Sequence, residues 1–163
     1  MASSYRKPLE AMEARAAALA TRIAETWQER AVEVLGAPLP KELDLDSLPE
    51  LIRTLARAAY SGADDPAPEE LIRVAIKHGV DRRSSGYADN IVFREYHLLR
   101  RYLWDELKKS EQAQDAIVAA ILRIDAAMTT ATAASAHGFH LEDKEIDQER
   151  LVKRLLKDWT MPL

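Results

Sequence analysis

Apolar residues recur every three or four positions along most of the chain, which is the spacing of one helix face. The first such segment carries a narrow, nearly heptad seam from Leu9 to Val34, and Gly36 would end it. No segment alternates apolar and polar residues as a half-buried strand would. We therefore predict an all-α fold: a four-helix-bundle-like single domain over residues 1–163, with additional short helices and a C-terminal amphipathic helix over 145–160.

Turn and capping residues divide the remaining chain into five further predicted helices. Ser47 and Glu50 have the spacing of a capping box, and a glycine inside a helical pattern favours a bend or an end. The predicted boundaries are Asp46 or Ser47 to Tyr60 for the second helix, Pro68 for the start of the third with a bend at Gly79, the residues after Gly86 for the fourth, Ser110 to about Ala136 for the fifth with Gly138 as its end, and Ile146 to Trp159 for the last.

Composition excludes several kinds of function. The chain has no cysteine, so disulfides, thiolate catalysis and cysteine-ligated metal centres are ruled out. Its formal charge of −4 argues against a nucleic-acid partner. The longest apolar run, Ala116 to Leu122, is far shorter than the roughly 20 residues of a membrane helix. The N-terminal segment has no signal-peptide core. We expect no membrane insertion and a cytoplasmic location.

One carboxylate stands on a predicted apolar face. Glu95 lies between Val92 and Leu99, and an unpaired buried carboxylate would cost several kcal/mol, about 3–5 when a partner is missing. Arg82, Arg100 or His78 is the natural partner. Two interpretations stay open: a structural network that fixes helix register, and a ligand pocket lined by the same groups. No nucleophile is matched to a base, so we predict no catalytic residue and no enzyme.

His78 also raises the alternative of a phosphoacceptor. Histidine phosphotransfer domains are four-helix bundles with an exposed histidine, followed shortly by a lysine and a small residue. Here Gly79 follows directly and the basic residues come at Arg82 and Arg83, so the spacing differs.

The second histidine pair raises the alternative of a small haem or metal sensor. His137 and His140 are three residues apart, with Glu142 and Asp143 close behind, and could share a helix face around a metal. A b-type haem needs only a histidine. Gly138 instead favours a solvated helix end. The preferred interpretation carries no metal and no cofactor.

Several residues in order resemble the signature of the RsbRD N-terminal domain family, the helical N-terminal modules of RsbT co-antagonist proteins and of some bacterial sensor histidine kinases. In that family a histidine and an arginine precede a glycine and a helix of the form Glu-Tyr-x-x-Leu-Arg. The matching residues are His78, Arg82, Gly86, Glu95-Tyr96, Leu99-Arg100, Ile124 to Ala127, Trp27 and Leu48 to Ile52. The resemblance covers roughly residues 9–140.

This resemblance implies a non-catalytic sensory or regulatory module of bacterial signal transduction or stress response, with an undefined signal. It implies a protein partner with a kinase or an anti-sigma-antagonist type of output, and an unknown small-molecule ligand is compatible with it. The candidate ligand-binding or structural network comprises His78, Arg82, Tyr87, Glu95, Tyr96, Arg100 and Asp125.

Two expectations concern assembly. The apolar sides of the first and last helices would allow a homodimer. No kinase or DNA-binding output follows within the 163 residues, so we expect a free-standing sensor or an input domain separated from its output. The helix from Ile146 could then begin a signalling linker.

Overall fold

The computed structural model describes residues 5–35, 47–62, 64–141 and 145–161. Within these ranges it contains seven α-helices and no strand, which confirms the all-α class. The helices are α1 (Arg6–Ala14), α2 (Ala16–Leu35), α3 (Ser47–Tyr60), α4 (Ala67–Ser84), α5 (Asp89–Lys108), α6 (Gln114–Phe139) and α7 (Glu145–Lys157).

The predicted first helix is two helices that meet at Arg15. This residue leaves helical geometry, with φ −101° and ψ 10°. The prediction of one helix was wrong because the buried seam continues across the junction, from Met12 to Ala16, and periodicity does not reveal one non-helical residue. The break lets α1 pack on α3 and α6 while α2 packs on α3 and α5. The predicted stop at Gly36 lies outside the described residues.

Glycines bring α4 and α6 into backbone contact. A β-carbon on Gly79 would lie 2.0 Å from the carbonyl oxygen of Ser135, and one on Gly138 would lie 2.3 Å from that of Ile76. α4 continues through Gly79 to Ser84, so the helix does not pause there, and α6 ends at Phe139, one residue beyond the predicted end at Gly138. Because glycine has no side chain, the two backbones can pack closely here, and the free energy of this contact outweighs the weak helix propensity of glycine.

The alanine-rich helix α6 is the central element. It packs against α3, α4 and α5, and it is long and apolar enough to cross a membrane by length and composition alone. Its place in the core accounts for that composition. Ser110 does not cap it, because α6 begins after Ala113. Its fully buried apolar residues are Ala120, Ile124, Ala127, Met128, Ala131 and Ala134.

The apolar sides of the first and last helices are largely buried within the same chain. The seam from Leu9 to Trp27 belongs to the core, and α7 lies on α4 and α6 with Val152 and Leu155 buried. Leu156 of the same helix is 36% exposed. The surfaces considered for dimerisation are thus mostly occupied, and a homodimer stays a prediction.

Candidate functional site

The turn between α4 and α5 positions the candidate site. Gly86 adopts φ 82°, a left-handed conformation that suits glycine, and is the one positive-φ residue among those described. His78 and Arg82 lie one turn apart in α4. The chain then reverses at Gly86, and α5 begins at Asp89. Glu95 then lies on the buried side of α5, opposite both.

A buried ion-pair network forms where these helices meet, and we call His78, Arg82 and Glu95 the Glu95 network. Arg82 Nε donates to Glu95 Oε1 over 2.7 Å, and His78 Nε2 lies 3.2 Å from Glu95 Oε2. His78 and Arg82 are each 1% exposed, and Glu95 is 3% exposed. Two of the three partners considered for Glu95 therefore contact it.

The electrostatics of the network keep Glu95 ionised. Burial by itself raises the pKa of the carboxyl group, but the hydrogen bonds and charges of His78 and Arg82 outweigh it. The pKa of Glu95 therefore lies below its ordinary value. The charge of Arg82 and the contact with His78 offset the cost of burying this negative charge.

A chain of polar contacts connects the network to two more helices. His78 Nδ1 lies 3.4 Å from Ser47 Oγ at the start of α3, and the His78 ring meets the Tyr96 ring edge-on at 5.9 Å. The Tyr96 hydroxyl and Ser135 Oγ are 2.7 Å apart, and Ser135 donates to the Ala75 carbonyl oxygen over 2.6 Å. Burial raises the pKa of Tyr96, so the phenol stays neutral. Helices α3 to α6 thus meet in one polar cluster.

The two serines were missed by the sequence reasoning. Ser135 does carry a signal, because it continues the inward stripe of Met128 and Ala131 and is a polar residue on an apolar face, like Glu95. Ser47 was assigned only a capping role, and nothing in its local sequence indicates a contact with His78.

A narrow void of about 150 Å³ borders the network and has no room for a water-sized molecule. Trp27, Leu48, Leu51 and Leu99 complete its wall beside the polar residues. Trp27 Nε1 and Arg82 Nη2 are buried with no hydrogen-bond partner in the part of the chain that the structure describes. Unpaired buried donors are costly, so these two groups make this packing less stable than one in which both have partners.

The other predicted site residues lie around the network. The Tyr87 hydroxyl is buried, and this burial is the chief cause of its raised pKa. The charge of Arg82 lowers that pKa and the charge of Glu95 raises it. Arg100 Nε lies 2.8 Å from Asp125 Oδ1, in a partly exposed ion pair between α5 and α6. Arg100 and Asp125 therefore form a pair of their own and do not contact Glu95.

The histidines are placed unfavourably for the alternative chemistries. At 1% exposure, His78 is out of reach of a phosphorylated receiver domain. His137 Nε2 lies 3.3 Å from Arg154 Nη2, while His140 Nε2 lies 3.4 Å from Asp89 Oδ2. Burial, then the charges of Arg154 and His140, lower the pKa of His137. Across the described ranges, no three histidine or acidic side chains converge as a metal would require.

Glu142 and Asp143, considered as further ligands, lie outside the described residues.

The fold and the site define an all-helical domain in which a buried charge network joins α4 to α5 and polar contacts extend it to α3 and α6. Residues 10–154 match the family described as the RsbT co-antagonist protein rsbRD N-terminal domain. The match spans most of the chain, so the chain belongs to this family, which comprises regulatory domains of stress-response signalling. It extends beyond the expected residue 140 and takes in much of α7. Searches of curated proteins and of solved structures give no significant match.

Proposed function

We propose that this domain is a non-catalytic signal-input module of a bacterial stress-response pathway, and that a ligand or a partner protein changes its helix packing. The observation that carries the proposal is the Glu95 network, a fully buried ion-pair cluster at the junction of α3, α4, α5 and α6. Membership of the family supports the regulatory role.

The physics of buried charges favours two packings of similar free energy. Desolvation offsets most of the attraction within a buried ion pair. Each unsatisfied buried donor, such as Trp27 Nε1, adds a cost of about 1–3 kcal/mol. A second packing that gives these groups partners recovers that cost. A ligand or partner that contacts only the second packing would then shift the population.

The output of such a change would leave through α7. This helix lies on α4 and α6, so a movement of α4 shifts the C-terminal end of the domain. We propose a signalling protein with a kinase or an anti-sigma-antagonist type of output as the partner, and a cytoplasmic setting. This extends the expectation that the C-terminal helix begins a signalling linker.

Distance measurements between spin labels test the proposal. The chain has no cysteine, so Arg53→Cys on α3 and Lys108→Cys on α5 place two labels at exposed positions. We expect one main distance in the otherwise native chain and a second population when Glu95→Gln is added. Asp125→Asn, which removes a carboxylate from the partly exposed pair, is the matched control and should keep the native distance.

An unchanged single distance in the Glu95→Gln chain would show that the network does not separate two packings, and would refute the proposed mechanism.

A further inference from the structure

A second feature lies on the outer face of α5 and α6, outside the Glu95 network. An open groove of about 770 Å³ runs between these helices, and we call it the α5–α6 groove. Its volume is within the roughly 300–1,000 Å³ of small-molecule sites. Its wall includes Phe93, Arg94, His97 and Arg101 of α5 and Thr129 and Thr132 of α6.

The groove is locally positive although the chain carries a formal charge of −4. Three arginines and a histidine line it, and no aspartate or glutamate does. Arg100 is neutralised by Asp125. Arg94 and Arg101 form no ion pair with any residue in the described ranges. Guanidinium groups suit planar or tetrahedral oxyanions, so the missing counter-charge is best supplied by a bound carboxylate or phosphate.

The groove also has an apolar component. Phe93 is 51% exposed at its wall, and Leu98 and Ala133 contribute further apolar surface. An exposed aromatic ring gains free energy when an apolar or aromatic body covers it. Charge and apolar surface together fit a ligand that has both an acidic group and an apolar body.

We propose that the α5–α6 groove binds a small amphiphilic organic anion and is the input site of the module, an inference that rests on the proposed function. Tyr96 provides the connection, because it lines the groove and also meets His78 edge-on. Its hydroxyl contacts Ser135 on the other wall helix. A ligand in the groove therefore acts on a side chain that touches the Glu95 network.

Isothermal titration calorimetry on the full chain tests this site with three probes. Decanoate presents an acyl chain and a carboxylate, adenosine monophosphate presents an aromatic base and a phosphate, and inorganic phosphate lacks the apolar body. We expect one equivalent of decanoate or of adenosine monophosphate to bind, and the one that binds identifies the source of the anion. Inorganic phosphate should bind at least tenfold more weakly.

Variants locate the binding. Arg94→Gln with Arg101→Gln, and separately Phe93→Ala, should each weaken the bound probe about tenfold or more. These side chains are exposed, so the variants should fold. Arg53→Gln with Arg150→Gln removes the same charge from exposed positions on α3 and α7 and should keep the native affinity.

No binding of either amphiphile to the native chain, or undiminished binding by the Arg94 and Arg101 variant, would overturn the groove site. The spin-label comparison of Glu95→Gln uses no ligand, so it tests the packing change separately. Binding in the groove that leaves the α3–α5 label distance unchanged would support the site as a ligand site and overturn its role as the input.

Discussion

Glu95 is an ionised carboxylate that is buried in the core and contacts Arg82 and His78. Its pairing was predictable, because a carboxylate on an apolar helix face must find a partner. Which of the three candidate partners it takes was not predictable, because the choice between Arg82 and Arg100 depends on how α4 and α6 are arranged around α5. Local sequence does not encode such distances between helices.

Removing the charge of Glu95 should destabilise the domain strongly. Glu95→Gln keeps the size of the side chain but leaves Arg82 buried beside a neutral group. We expect the free energy of unfolding to fall by about 3–5 kcal/mol in urea denaturation. Asp125→Asn should lower it by no more than about 1 kcal/mol, because that pair is 31% and 40% exposed. Equal losses in the two variants would contradict the importance of burial.

The same residue should make stability depend on acid. The pKa of Glu95 is lower in the folded chain than its ordinary 4.5, so folding favours the ionised form. This contribution to the free energy of unfolding is fully present above pH 4.5 and is lost as the pH falls through the pKa of the folded state. Urea denaturation from about pH 7 to about pH 3 should show the native chain losing its advantage over Glu95→Gln below 4.5. A constant difference across that range would contradict the shift.

Among the elements, the pair α4 and α6 differs most from its sequence-based expectation. The existence and type of the helices followed from periodicity, since each carries a clear apolar face. The positions at which helices are interrupted did not follow from periodicity. Gly79 and Gly138 are poor helix residues in isolation, and only the neighbouring backbone explains why both lie within helices.

Adding a single methyl group should separate these two helices. In Gly79→Ala the new β-carbon meets the Ser135 carbonyl oxygen, a backbone atom that cannot move alone. We expect thermal unfolding to show that the free energy of unfolding falls by about 1–3 kcal/mol or more, although alanine has the better helix propensity. Gly62→Ala is the matched control, since nothing lies within 4 Å of its β-carbon position, and it should be neutral or slightly stabilising. A stable Gly79→Ala chain would show that the contact is loose.

At the scale of the whole molecule, α7 belongs to the folded body. The sequence indicated an amphipathic helix there, but its role depended on where its apolar side packs, which periodicity leaves open. Its inward residues lie on α4 and α6, and the family match reaches residue 154. The C-terminal helix is therefore docked on α4 and α6, and its role as the start of a signalling linker stays a prediction.

A charge on the docked side of α7 should release it. Val152 is 2% exposed, so Val152→Asp would place an unpaired carboxylate in the core, whereas Leu156→Asp changes a position that is 36% exposed. Hydrogen–deuterium exchange should show faster exchange over residues 145–157 in Val152→Asp than in Leu156→Asp. Equal, slow exchange in both variants would mean that α7 is held by other contacts.

The backbone contact of α4 with α6 also limits which motions can transmit a signal. Two helices separated by side chains can slide, because rotamers change layer by layer. Gly79 and Gly138 leave no such layer where the two helices cross, because residues 76–79 of α4 meet residues 135–139 of α6 there. The pair should therefore resist sliding and move as one body, so that α3 and α5 shift against it and α7, which lies on both helices, moves with it.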